Sequence, residues 1–319
     1  MAQSQLEYDQ VTPVLKTLPL HLGCCPPPRR CALCSERAVV ESLDVCRALL
    51  ELHDGPVHTF GGPPPSPALV RAIGDRPLRI RVRPDLLDQK RARALVDAGV
   101  SRIELDALSL NDRVLGWSRR PYRGALVSEM ATTLRSWGVE VGLVQGIGLP
   151  GGSAELSIQD AHAMAPLCDT IRLHPVLVIA GSDLEQRAEE HLYRPLDVDQ
   201  AVDRCLSVLP VYESHDVTVL RVGMQAGPDG LGPVVGGPVH PSLRELVESQ
   251  RTLERLHAAM GTLPRGSSVV VHCAPEDLSR TKGPANRNVR VLREQYGLSS
   301  IEVCADPALE RGHNRVRRA

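Results

Sequence analysis

The segment Leu78-Arg79-Ile80-Arg81-Val82-Arg83 reads as a β-strand, residues 86–98 as a helix, and Arg102-Ile103-Glu104-Leu105-Asp106-Ala107-Leu108 as a second strand. Strand, helix and strand at this spacing make a right-handed crossover between parallel strands. The same alternation runs outward in both directions. Upstream lie a strand at 13–20, a helix at 35–52, a strand at 57–60 that ends in Gly61 and Gly62, and a short helix from Ser66. Downstream lie a helix around 122–137, a strand at 139–149, a helix at 157–167, a strand at 170–179, a helix at 198–209 and a strand at 217–222. The pattern predicts an α/β fold, a partial (β/α)6 TIM-like barrel of about six strands that binds its ligands at the strands' carboxyl ends. Past Gly261, a strand at 268–273, a helix at 288–296 and a strand at 300–303 predict a small C-terminal α/β appendage. The expected organisation is a core barrel over 13–232 and a C-terminal α/β region over 233–319, with the basic run 311–318 as a frayed tail.

With 319 residues, 42% hydrophobic and 24% charged, the chain is of ordinary globular composition and is not disordered, collagenous or coiled-coil. No run of about 18 apolar residues is present to span a bilayer, and residues 1–10 show no secretory signal, so a cytoplasmic location without membrane association is expected. The net charge of -1 and 3% aromatic content do not support nucleic acid as a partner. Lysine occurs only at Lys16, Lys90 and Lys282, so arginine supplies nearly all positive charge.

Cysteine carries more information. There are nine, and four of them fall in His21-Leu22-Gly23-Cys24-Cys25-Pro26-Pro27-Pro28-Arg29-Arg30-Cys31-Ala32-Leu33-Cys34, where the prolines forbid helix. An odd count without an export signal points away from a disulfide framework. Soft thiolates suit zinc or an iron-sulfur cluster. Structural zinc normally needs a second knuckle, and none follows; His53 and His58 lack knuckle spacing. A three-cysteine cluster leaves one iron open for an exchangeable ligand. The scattered Cys46, Cys168, Cys205, Cys273 and Cys304 are expected to be buried, inert thiols.

The order of features resembles the radical S-adenosylmethionine (radical SAM) enzymes, in the branch of the Elongator catalytic subunit and the oxygen-independent coproporphyrinogen oxidases. The resemblance rests on the cysteine loop after His21-Leu22-Gly23-Cys24, Phe60-Gly61-Gly62, Arg81-Val82-Arg83 with Pro84-Asp85, Ile103-Glu104-Leu105, Ser109 and Gly148-Leu149-Pro150-Gly151. It continues through 172–181 with Glu185, Arg221 to Gln225, and Gly237-Pro238-Val239-His240-Pro241. The chain departs from the family in the wide spacing between the first ligand and Cys31, in Leu33 before the last cysteine, in Pro63-Pro64-Pro65 after Gly62, and in Leu108 and Tyr122.

The resemblance implies a [4Fe-4S] cluster and S-adenosyl-L-methionine as cofactors. The cluster would be held by Cys24, Cys31 and Cys34, with Cys25 as the alternative first ligand, and the reaction would be reductive cleavage to a 5′-deoxyadenosyl radical that abstracts hydrogen. A small-molecule substrate and an electron donor protein are the implied partners. A non-catalytic SAM-, haem- or metal-handling protein on the same barrel is the alternative.

Gly61 and Gly62 would admit the cofactor close to the backbone. Glu104 points inward with Asp106, either to the cofactor or into a structural salt bridge. Arg120 would pair the cofactor carboxylate, although a solvated arginine is favoured slightly there. Gln145 and Gly148 would border the adenine, or else fill core. Arg172, His174 and Gln225 are the candidates for the catalytic chamber.

Overall fold

The structure, a computed structural model, describes residues 18–21, 32–33, 43–223, 233–261 and 263–319. It divides into two compact units, Met1–Pro241 and Ser242–Ala319.

In the first unit, seven strands form one sheet: β1 (Leu18–His21), β2 (Val57–Phe60), β3 (Leu78–Val82), β4 (Arg102–Leu108), β5 (Glu140–Ile147), β6 (Thr170–Pro175) and, past a short β7 (Val178–Ile179), β8 (Thr218–Val222). Their order is β1-β2-β3-β4-β5-β6-β8, and every pair is parallel. Each strand therefore bonds to the next strand of the sheet in the chain, which is the topology of a partial (β/α) barrel.

The crossover helices are α1 (Leu43–Glu51), α2 (Pro67–Ile73), α3 (Gln89–Asp97), α4 (Asp112–Trp117), α5 (Gly124–Ser136), α6 (Ala154–Met164), α7 (Asp183–Glu189) and α8 (Val198–Glu213). Their starts are set by short polar caps. Ser66, Asp88, Asn111, Ser153, Ser182 and Asp197 each accept a backbone amide of the first turn, and Asp197 completes a capping box with Gln200. Their apolar sides cover the sheet's outer face. Leu20 and Val57, for instance, pack with Cys46 and Leu50 of α1 and Leu69 and Ile73 of α2.

The predicted strand 170–179 is two elements. It breaks after Pro175, and β7 turns to pair antiparallel with β9 (Val234–Gly236). That pairing ties residues 234–236 to the first unit, and the division falls at Pro241 rather than at 232.

In the second unit, α9 (Leu243–Met260), α10 (Leu278–Lys282) and α11 (Arg287–Tyr296) accompany the sheet β11-β10-β12, built from β10 (Ser268–Cys273), β11 (Ser300–Ala305) and β12 (Asn314–Arg318). Its core joins Leu253, Leu256 and Met260 of α9 to Val269, Val271, Leu292 and Leu298. The basic C-terminal run is not a frayed tail. It is β12, paired antiparallel with β10, because Val316 packs against the core while its arginine neighbours alternate outward.

Candidate active site: an ion-paired inner wall

Alternation along the strands sends one set of side chains to the helices and the other to the inner face of the sheet. On that inner face the sequence places charge. Glu104, fully buried on β4, reaches Arg172 of β6 with two contacts, Nε to Oε2 at 2.8 Å and Nη2 to Oε1 at 3.2 Å. Strand β5 lies between them, and the contact passes over Gly142, which is in register with both Glu104 and Thr170. A Cβ at Gly142 would stand 2.7 Å from Glu104 Cγ, so only glycine leaves this path open. Arg79 of β3 adds a longer contact, Nε to Glu104 Oε1 at 3.4 Å.

One rung closer to the carboxyl ends, Asp106 bridges two guanidiniums. Arg81 and Arg120 each bring Nη2 to 3.2 Å from one of its oxygens. Arg83, just past the end of β3, is fully buried and paired with Asp85 at 2.5 and 2.7 Å. Three arginines two residues apart thus each meet a carboxylate.

Burial pushes the Glu104 carboxyl up, but Arg172, with its charge and hydrogen bonds, together with Arg79, outweighs it and holds the group below the usual range. His58 of β2 is lowered to about 3 by burial, and Arg172, Arg81 and Arg79 add to the effect against the pull of Glu104. His174 of β6 falls well below its ordinary value through burial and the nearby Arg81, with Asp106 opposing. Both imidazoles are neutral near pH 7.

Near the end of β4 the ladder with β5 shifts register between Leu105 and Leu108, and Leu108 takes a φ of 61°. The Tyr122 hydroxyl donates to the carbonyls of Asp106 (2.9 Å) and Ala107 (3.1 Å) at this break. Beside it, the middle of the cysteine loop is fixed. Ala32 is fully buried; its N–H donates to Ser118 O at 3.1 Å and its carbonyl accepts from Leu184 N at 3.0 Å. Leu33 packs on Leu108, Val114, Val144, Leu149, Val176, Val178 and Leu184, a cluster built where β4, β5 and β6 end. The dipeptide between Cys31 and Cys34 therefore sits at the carboxyl mouth of the barrel. Cys24, Cys25, Cys31, Cys34 and Gln225 lie outside the described residues.

The remaining candidates divide. Gly61, with a φ of 134°, and buried Gly62 end β2 at the same mouth, and the Gly62 carbonyl accepts from Arg83 N at 3.1 Å. Arg120 is buried and ion-paired, contrary to the solvated side chain favoured from sequence. Glu104 and Arg172 neutralise each other, so the salt-bridge reading of Glu104 is the one realised. Gln145 is turned the other way. Its amide donates to Ser157 O of α6 at 2.7 Å and accepts from Tyr212 of α8 at 2.9 Å, so it links helices on the outer face and does not border the chamber. Gly148 has a φ of 82° and lies under Leu196, which a Cβ would meet at 2.7 Å. Arg79 and Arg81 were missed on the inner wall, although arginine at every second position of one strand was their visible signal, and so was His58 of β2. Cys46, Cys168, Cys205 and Cys273 are buried as expected, and burial pushes the Cys168 and Cys205 thiols up to about 12.

Residues 168–255 match the model of the radical SAM C-terminal domain. This chain is a relative of the radical SAM enzymes. Among curated proteins, it is 31% identical over 129 residues to a tRNA uridine(34) acetyltransferase of Dehalococcoides mccartyi, covering 39% of this chain and 28% of that one. It is 24% identical over 140 residues to the protein of the same name from Methanocaldococcus infernus, covering 42% and 26%. The chain thus spans little more than a quarter of the length of these relatives. Among solved structures, Methanocaldococcus infernus Elp3 superposes with a TM-score of 0.53 at 17% identity, over 76% of this chain and 64% of that one. Streptococcus suis SuiB bound to S-adenosylmethionine gives 0.51 at 12% identity, over 66% and 51%. The likeness is to the Elongator-like branch of the radical SAM enzymes. No helix among the described residues is long and apolar enough to cross a membrane.

Proposed function

We propose that the protein binds a [4Fe-4S] cluster through Cys31, Cys34 and one of Cys24 or Cys25, and uses S-adenosylmethionine to abstract hydrogen from a small polar substrate. The observation that carries this reading is the seat of Ala32 and Leu33. Ala32 and Leu33 lie at the carboxyl mouth, the end at which (β/α) barrels work, and that supports assigning the cluster to the cysteines on either side of them in the chain.

The residues present fit the cofactors. Thiolates are the donors an iron-sulfur cluster takes. Gly61 and Gly62 leave the end of β2 without side chains, and Gly61 holds a backbone conformation that L side chains rarely adopt. When bound, S-adenosylmethionine supplies on one-electron reduction a 5′-deoxyadenosyl radical, with methionine as the other fragment. Arg120, fixed against Asp106, offers a guanidinium for a carboxylate. Tyr122 closes the broken end of β4 by satisfying two carbonyls. Arg81, Asp106 and neutral His174 provide hydrogen-bonding groups along the inner wall for a substrate. The electron would come from a donor protein.

The test is anaerobic reconstitution followed by reduction with dithionite. About four iron and four sulfide per chain are expected, together with slow release of 5′-deoxyadenosine without substrate. Gly62→Val should keep the cluster and lose most of that release. Stoichiometric zinc without iron-sulfur absorbance would end this reading. S-adenosylmethionine binding with no 5′-deoxyadenosine under any reductant would favour a non-catalytic binding protein, and unchanged release in Gly62→Val would move the cofactor elsewhere.

A further inference from the structure

At the opposite, amino-terminal end of the strands lies a cavity of about 570 Å³, bordered by Arg79, Arg102, Glu140, Asp169, Thr170 and Arg135, with Ala165, Pro166 and Leu220 giving it apolar wall. This volume suits a small organic molecule.

Most of its charge is already matched. Arg102 pairs with Glu140 at 2.5 Å. Arg135 pairs with Asp169 at 3.2 Å and donates to Pro166 O at 2.8 Å, while Asp169 also accepts from Val141 N. Asp216 is exposed in the turn before β8.

Two groups are unmatched. Arg79 reaches Glu104 through Nε alone, at 3.4 Å, and Glu104 gives its shorter contacts to Arg172. Two guanidiniums therefore share one carboxylate, and His58 beside them is neutral and cannot alter that balance. Arg79, Arg172 and Glu104 together carry one positive charge more than negative, and a bound anion would complete that group. The terminal nitrogens of Arg79 donate to no described residue, leaving a planar fork of the kind that takes a carboxylate or phosphate. The second group is the Thr170 hydroxyl, whose residue is 6% exposed and whose Oγ1 has no hydrogen-bond partner. Buried hydroxyls are normally satisfied.

We propose that this amino-end cavity binds a small organic anion, with its phosphate or carboxylate held by the outer nitrogens of Arg79 and by the Thr170 hydroxyl. The site is separate from the carboxyl mouth and does not depend on the cofactor chemistry proposed above.

Titration calorimetry on the full chain, with inorganic phosphate and with succinate in parallel, tests it. Saturable binding of at least one probe is expected, and the tighter of the two identifies the oxyanion. Arg79→Gln should weaken binding at least tenfold. Thr170→Val, which replaces an unsatisfied hydroxyl with a methyl and so keeps the fold, should weaken it several-fold. Absence of saturable binding of both probes up to 10 mM would overturn the proposal, as would affinities in folded Thr170→Val and Arg79→Gln equal to wild type.

Discussion

Mild acid should destabilise this protein through its inner wall, and His58 sets a measurable share of the effect. Its imidazole is lowered from 6.5 to about 3 by burial and by Arg172, Arg81 and Arg79, with Glu104 opposing. A histidine whose folded-state pKa is depressed binds its proton more readily in the unfolded chain. Stability is therefore complete above pH 6.5 and is lost as the pH falls toward 3. Integrated from pH 7 to pH 5, the loss is roughly 2 kcal/mol for this one group. His174, lowered for the same first reason of burial, adds a loss of the same sign. Asp160 acts oppositely: burial raises its pKa against its bonds from Ser109 and Leu110, so protonating it in mild acid favours the fold. The assay is urea unfolding of wild type and His58→Gln at pH 7 and pH 5, with the slopes compared to confirm equal surface exposure. The difference between the two pH values should be about 2 kcal/mol smaller in His58→Gln than in wild type. Equal pH dependence in the two proteins would refute the assignment of a neutral, buried His58.

Further expectations concern single contacts. Glu104→Gln leaves Arg172 and Arg79 without a counter-charge and should cost about 3–5 kcal/mol in denaturant unfolding, the range for breaking one side of a buried pair. Tyr212→Phe strands the Gln145 carbonyl between α6 and α8 and should cost about 1–3 kcal/mol, measured in the same way. Gly124→Ala would drive a Cβ into the Leu110 carbonyl, so a marked fall in thermal midpoint is expected. Iron content of reconstituted Cys24→Ala and Cys25→Ala identifies the first cluster ligand: loss is expected in Cys24→Ala and retention in Cys25→Ala.

The barrel was legible because its parallel strands are short and the helices after β2 to β6 start at short polar caps. The bounds read for residues 102–108 are those observed for β4. The break after Pro175 was not legible, since Val176 to Ile179 continues the apolar run, and what turns β7 away is its partner Val234–Gly236, more than fifty residues downstream. The amphipathic α9 lies in a stretch to which the strand and helix alternation assigned no element, and β12 was hidden by its arginine content, where one valine in the core decides the outcome. At the site, inward placement of Glu104 followed from alternation, yet its partner did not. Arg172 is 68 residues away and meets it only because Gly142 leaves a gap in the intervening strand. Gln145 was misplaced because a polar residue in a buried strand looks the same from sequence whether it faces ligand or helix. The helix contacts of Ser157 and Tyr212 decide it.

The seat of Ala32 also orders events during synthesis. Strands that pair in chain order can add one at a time as the polypeptide emerges. Ala32 cannot dock then, because its two backbone partners, Ser118 and Leu184, arrive far later. Until residue 184 has left the ribosome, the seat of Ala32 is incomplete. The arrival of α7 then completes the backbone seat of Ala32 on the barrel.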